Sequence, residues 1–158
     1  MPDYSFRPVT RDDLPMLAGW LAAPEVAAWW EGVDRQIALV SGDLDHPAMT
    51  QVIALLDGQP IAYAQHYPVQ AWPAPHFAHL PADAIAIDLF SGPAGRGHGS
   101  RWLRALGDLL LRQSPVLAID PDPENARAIR AYENAGFSGS DIRIDGEGHP
   151  VRVMTRLR

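Results

Sequence analysis

The sequence predicts an α+β fold, a mixed but mostly antiparallel central sheet flanked by helices, on three observations. First, the apolar run Ala84-Ile85-Ala86-Ile87-Asp88-Leu89-Phe90 leads through a glycine-rich stretch, Ala94 to Ser100, into the amphipathic segment Trp102 to Leu111, an order of strand, loop and helix. Second, two pairs of β-like segments each flank a tight turn. Thr50 to Leu56 and Ile61 to Tyr67 meet at Asp57-Gly58-Gln59-Pro60, and Phe137 to Ile144 and Val151 to Leu157 meet at Asp145 to Gly148. Third, 158 residues with 47% apolar content can bury one sizeable core, so residues 1–158 are predicted to form a single domain.

Taken in order, Tyr4 to Val9 reads as the first strand. Thr10-Arg11-Asp12-Asp13 has the shape of a capping box with a shortened acid, and Leu14, Leu17, Ala18 and Leu21 then recur at helical spacing. Ala23-Pro24-Glu25 breaks that helix and starts a second, short one through Val26 and Trp30, because proline suits a first helical turn. A third helix runs from about Arg35 to Asp43, and the Asp-Gly hairpin follows. Pro68 to Asp83 holds several prolines with Trp72, His76, Phe77 and His79, and shows neither period. It reads as a long loop, either facing a substrate or mobile. The central strand, the glycine loop, a helix to about Gln113, a strand Val116 to Ile119, a helix led by Asn125 and the closing hairpin complete the chain. No internal repeat or low-complexity tract divides it.

Composition removes several classes of function. A formal charge of −6 gives no electrostatic footprint for nucleic acid and favours cationic partners. The absence of cysteine excludes a disulfide and a cysteine acyl-enzyme. The six histidines lack the His-x-x-x-His spacing of a metal site, so no metal is expected. The N-terminal residues carry no leader pattern and no run approaches a membrane span, which predicts a cytoplasmic protein without a membrane partner. All thirteen basic residues are arginine. Without lysine the glycine loop is no Walker loop, and Gly95, Gly97 and Gly99 are spaced too evenly for a dinucleotide fingerprint. Alternate glycines ahead of a helix start nevertheless present backbone N–H groups suited to a pyrophosphate.

Downstream, Asp120-Pro121-Asp122-Pro123-Glu124-Asn125 precedes Ala128-Ile129-Arg130-Ala131-Tyr132-Glu133-Asn134-Ala135-Gly136-Phe137. With the glycine loop, these residues resemble the GCN5-related N-acetyltransferase (GNAT) superfamily. Trp29-Trp30, the run Ile61 to Tyr67 and Ile87-Asp88 occur in the order found in its aminoglycoside 6′-N-acetyltransferase branch. The resemblance implies acetyl-CoA as co-substrate and a small cationic amine as acceptor, joined directly in a ternary complex. It assigns the coenzyme to Leu89, Phe90, Gly95, Arg96, Gly97, His98, Gly99, Ser100 and Asn125. Asp88 would bind the ammonium and take its proton, and Tyr132 would help the thiolate leave. Trp30, Gln65, Tyr67 and Asp120 would complete the acceptor pocket with Asp88.

Each role has a plainer competitor. Asp88 also suits a strand-end acid capping the loop, Tyr132 a core aromatic beside Ala128 and Ile129, and Asn125 a helix cap alone. One tryptophan of the pair belongs in the core. Two departures stand out: Ala94 occupies a place where the superfamily usually has Gln or Arg, and the stretch Pro68 to Asp83 offers a single acid where aminoglycoside enzymes carry several. A siderophore precursor, a polyamine or a peptide amine therefore competes as acceptor, as does a non-catalytic acyl-CoA sensor. Monomer and homodimer both remain open.

Overall fold

The computed structural model describes residues 2–158. Its strands are β1 (Tyr4–Pro8), β2 (Thr50–Leu56), β3 (Gln59–Pro68), β4 (Ile85–Ser91), β5 (Val116–Ile119), β6 (Ser138–Ile144) and β7 (Pro150–Leu157). Its α-helices are α1 (Leu14–Leu21), α2 (Pro24–Ala27), α3 (Val33–Asp43), α4 (Gly99–Leu110) and α5 (Ala126–Asn134). The sheet order is β1-β2-β3-β4-β5-β7-β6. β4 and β5 run parallel, while β1–β2, β5–β7 and β6–β7 are antiparallel. This is the mixed, mostly antiparallel α+β sheet that the sequence predicts. By compactness the chain divides into two units, Met1–Gln65 with Leu89–Gly97, and His66–Asp88 with His98–Arg158.

In the first unit, the capping box forms as the sequence suggests. Asp13 accepts a hydrogen bond from the Thr10 amide at 2.8 Å, and both of its oxygens accept from Arg7 at 2.8 Å. The Arg7 guanidinium holds the Asp13 carboxyl below the usual carboxylate range, against the upward push of burial. Behind that cap, α1 buries Leu17 and Leu21 completely among Val26, Val40, Ile53, Tyr63 and Phe90. The hairpin turn has positive φ at both central residues, Asp57 at 49° and Gly58 at 84°, as a type I′ turn requires. The second helix, expected through Trp30, ends at Ala27. The amides of Trp29 and Trp30 both turn back to the Val26 carbonyl at 3.0 Å, which leaves Trp29 exposed and tucks Trp30 edge-on to Phe90.

In the second unit, Ala84, Ala86, Val116, Ala118, Val151 and Val153 form one apolar face beneath Val69 and Phe77. On α4, Trp102, Leu103, Leu106 and Leu110 are buried, and Gly107 leaves room for the Arg156 guanidinium, which a Cβ there would meet at 2.5 Å. The Ala-Gly-Phe end of α5 is a Schellman cap. The Gly136 amide donates to Glu133 and the Phe137 amide to Tyr132, each at 3.0 Å, while the Phe137 ring is buried. The stretch Pro68 to Asp83 is irregular, as expected, but anchored. It makes two 3₁₀ turns, Val69–Ala71 and Pro75–Phe77, and buries Val69, His76 and Phe77.

Candidate active site

The site grows from two identical tripeptides, Ala86-Ile87-Asp88 on β4 and Ala118-Ile119-Asp120 at the end of β5. Parallel pairing sets Ala86 opposite Ala118. Because side chains alternate along a strand, the same register carried two residues further sets Asp88 opposite Asp120, on the face lined by the small alanines. Asp88 is not the strand-end acid the sequence allows: β4 runs on to Ser91, so Asp88 lies mid-strand, level with Asp120 just past the end of the parallel β5, and two acids far apart in sequence converge.

Two phenols meet this pair. The Tyr67 hydroxyl donates to Asp88, and its ionisation is pushed well above the ordinary tyrosine range, first by burial and then by the charges of Asp88 and Asp120. Tyr132, half-buried on α5, is pushed up likewise, by burial first, then by Asp120 and Asp88. Both phenols therefore stay protonated and act as hydrogen-bond donors at any physiological pH. Tyr67 also packs edge-on to Trp72, with ring centroids 5.2 Å apart. His66, next to Tyr67, is pushed down to about 4 by burial, so its imidazole is neutral near pH 7.

Asp88, Asp120, Tyr67 and Tyr132 are thus brought together in the second unit. Asn125 is the N-cap of α5, its side-chain oxygen accepting from the Ala128 amide at 3.2 Å. Asp122 is exposed and accepts from the Glu124 amide at 2.9 Å. In the first unit, Trp30 is half-buried, Phe90 is buried and stacks on Tyr63, and Gln65 contacts the Tyr63 hydroxyl at 2.8 Å. That contact fixes one face of the Gln65 amide, while Tyr63 also reaches Gln51 at 2.5 Å.

The glycine loop divides its labour. Gly95 is buried, and a Cβ there would lie 2.3 Å from the Ile61 carbonyl oxygen, so its first duty is close packing on β3. Gly97 has φ of 82° and open space around its Cβ position, and Gly99 likewise has nothing within 4 Å. The helix α4 starts at Gly99, inside the loop, with no side-chain hydrogen bond from its N-cap, His98. The first amides of a helix lack intrahelical acceptors, so a Cβ-free approach to this terminus fits a phosphate group. Arg96 is exposed and lies 3.7 Å from Glu25.

One residue escaped sequence reasoning. His76, buried in the Pro75–Phe77 turn, places Nε2 at 2.8 Å from Asp120 Oδ2. The sequence reads Pro68 to Asp83 as a loop facing a substrate or mobile, and nothing local points His76 to Asp120.

Comparison with known proteins adds to this geometry. The family described as the acetyltransferase (GNAT) domain matches residues 9–142. The chain is 35% identical to the aminoglycoside N(6′)-acetyltransferase type 1 of Klebsiella pneumoniae, over 98% of this chain and 83% of that protein. Among solved structures, it is similar to AAC(6′)-Ib in complex with paromomycin and acetyl-CoA, at 32% identity and a TM-score of 0.84, covering 99% of this chain and 94% of that one. The same enzyme with coenzyme A and kanamycin matches at 31% identity and a TM-score of 0.84, over 99% and 95% of the two chains.

Proposed function

The chain belongs to the GNAT acetyltransferase family, and from that premise we propose that residues 1–158 form one acetyltransferase domain that moves the acetyl group of acetyl-CoA to the 6′-amine of an aminoglycoside. The observation that carries this reading is the carboxylate pair Asp88 and Asp120 facing two protonated phenols, in a chain similar over nearly its whole length to an aminoglycoside N(6′)-acetyltransferase.

The chemistry needs an amine stripped of its proton, a fixed thioester and help for the leaving thiolate. Acetyl-CoA supplies the thioester. Its pyrophosphate is held by the backbone from Gly95 to Ser100 at the start of α4, Leu89 and Phe90 contribute the edge of β4, and Asn125 caps α5 beside the coenzyme arm. Asp88 and Asp120 hold the acceptor as an ammonium, with Tyr67 as wall and polar fixing. Asp88 takes a proton from that ammonium and passes it to solvent, and the freed lone pair attacks the thioester carbon. As the C–S bond breaks, the nitrogen loses a second proton and the sulfur gains one. Tyr132 assists this step by donating a hydrogen bond. With its ionisation pushed up, the phenol is too weak an acid to surrender its proton to a thiolate, so its contribution is charge stabilisation.

No helix among the described residues is long and apolar enough to cross a membrane, and a cytoplasmic site of action, where acetyl-CoA is made, is part of the proposal. The test is thiol release from acetyl-CoA by the purified protein with kanamycin, tobramycin, lysine-derived siderophore precursors, polyamines and short peptides. Saturable release with the aminoglycosides, with NMR placing the acetyl group on the 6′-nitrogen, is the expected result. Release only with another amine would overturn the substrate assignment, and coenzyme binding without release for any amine would overturn catalysis.

A further inference from the structure

The irregular stretch between β3 and β4 contributes one polar group to the carboxylate pair, and its surroundings settle what that group does. The His76 residue is only 7% exposed. Its Nε2 lies 2.8 Å from Asp120 Oδ2, while its Nδ1 is buried without a hydrogen-bond partner among the described residues. A proton on Nδ1 would bury an N–H with no acceptor and set the Nε2 lone pair against the carboxylate. The doubly protonated ring would bury the same unpaired N–H. Only the tautomer with its single proton on Nε2 makes the bond to Asp120 and leaves nothing worse than an unpaired ring nitrogen.

That donor is rigidly mounted. The Phe77 and Ala78 amides close the 3₁₀ turn on Ala74 and Pro75, and the imidazole lies against the Phe77 ring with centroids 4.1 Å apart. Asp120, by contrast, stands where β5 gives way to the Pro121–Pro123 turn, so no helix or strand fixes its carboxylate.

We infer that His76 is a positioning residue for the acceptor: its Nε2–H ties down Oδ2 of Asp120 and leaves Oδ1 as a single, fixed contact for the incoming ammonium. A carboxylate with one oxygen engaged suits a primary ammonium and not the two-pronged fork of a guanidinium. The anchored loop is then a leg of the acceptor site, supplying with one buried histidine an ordering role that extra acids would not.

The substrate named in the test rests on the aminoglycoside reading; the tautomer does not. Two variants of the full chain separate them. His76→Gln keeps an N–H donor at the position of Nε2, and His76→Leu removes it at similar volume. The expected result is an acceptor KM for kanamycin raised about tenfold or more in His76→Leu, from an orphaned carboxylate oxygen. Its KM for acetyl-CoA stays unchanged, and His76→Gln restores the acceptor KM to within about threefold. An unmoved acceptor KM in His76→Leu, or an equal loss in both variants, overturns the inference. Independently, ¹⁵N NMR of the imidazole in the wild-type chain is expected to show the Nε2–H tautomer, with the signal changing in Asp120→Asn; an Nδ1–H tautomer overturns the inference even if His76→Leu fails to fold. A wild-type chain inactive on every aminoglycoside would sink the proposed function, and the NMR result would then decide the role of His76 alone.

Discussion

Replacing Gly95 with alanine separates the loop's packing from its binding of coenzyme. The added Cβ would sit 2.3 Å from the Ile61 carbonyl oxygen, so loop and strand must part by about 1 Å to restore an ordinary contact. That same oxygen accepts the Gly92 amide at 2.8 Å, and the shift stretches this bond as well. Overpacking of this kind costs about 2 kcal/mol and the weakened hydrogen bond about 1 more. For a chain of this size the two together lower Tm by about 6–12 °C. Gly99→Ala is the matched control, since nothing stands within 4 Å of its Cβ position and alanine favours the first turn of a helix. It is expected to leave Tm unchanged or slightly higher while raising KM for acetyl-CoA, because the new methyl group meets the phosphates instead of the protein. Thermal melts and coenzyme titration of both variants make the comparison. A Gly95→Ala protein melting within about 2 °C of wild type, or a Gly99→Ala protein with unaltered coenzyme KM, would refute this division of labour.

Three further outcomes are expected. Tyr132→Phe lowers kcat by about a hundredfold at constant acetyl-CoA KM; because burial and the acids push the phenol's ionisation up, wild-type kcat shows no alkaline loss from this group below about pH 10, and such a loss, abolished by Tyr132→Phe, would contradict the role. Asp13→Ala costs about 2 kcal/mol near pH 7, read by urea melts, from the lost cap and the orphaned Arg7. The folded Asp13 carboxyl ionises below its unfolded value of about 3.9, so its contribution is full above that pH and disappears as pH falls through the folded value. His66, down at about 4 in the folded chain, does not titrate by NMR between pH 5.5 and 8, roughly the span around the free value of about 6.5; below that free value the unfolded chain binds a proton the folded one refuses, so stability falls with pH.

The features legible in the sequence are those with local causes. Thr10 and Asp13 lie three residues apart and cap the 3₁₀ turn Arg11–Asp13 that leads into α1, Asp57-Gly58 sets its own hairpin, and Ala-Gly-Phe closes α5 through bonds that span one turn. The same locality explains the glycine loop before α4. The pairing of Asp88 with Asp120 is different: both Ala-Ile-Asp tripeptides are visible in the sequence, but their register depends on two parallel strands with a crossover helix between them. Family resemblance carried that step. His76 and the packing role of Gly95 were not legible, because each depends on a partner distant in sequence, Asp120 and Ile61. The sequence assigns Trp30 to the pocket and one of the pair to the core; where α2 stops instead leaves Trp29 exposed and turns Trp30 toward Phe90, which no local signal shows.

Asp88 carries the proposed chemistry most directly. Steady-state thiol release with kanamycin, measured for the wild type and for Asp88→Asn alongside an acetyl-CoA binding titration, tests it in one experiment. Loss of the proton acceptor is expected to cut kcat by about a hundredfold or more, with coenzyme affinity unchanged. An Asp88→Asn protein that acetylates kanamycin at the wild-type rate would contradict the claim that the carboxylate pair on β4 and just beyond β5 is where the amine is held and deprotonated.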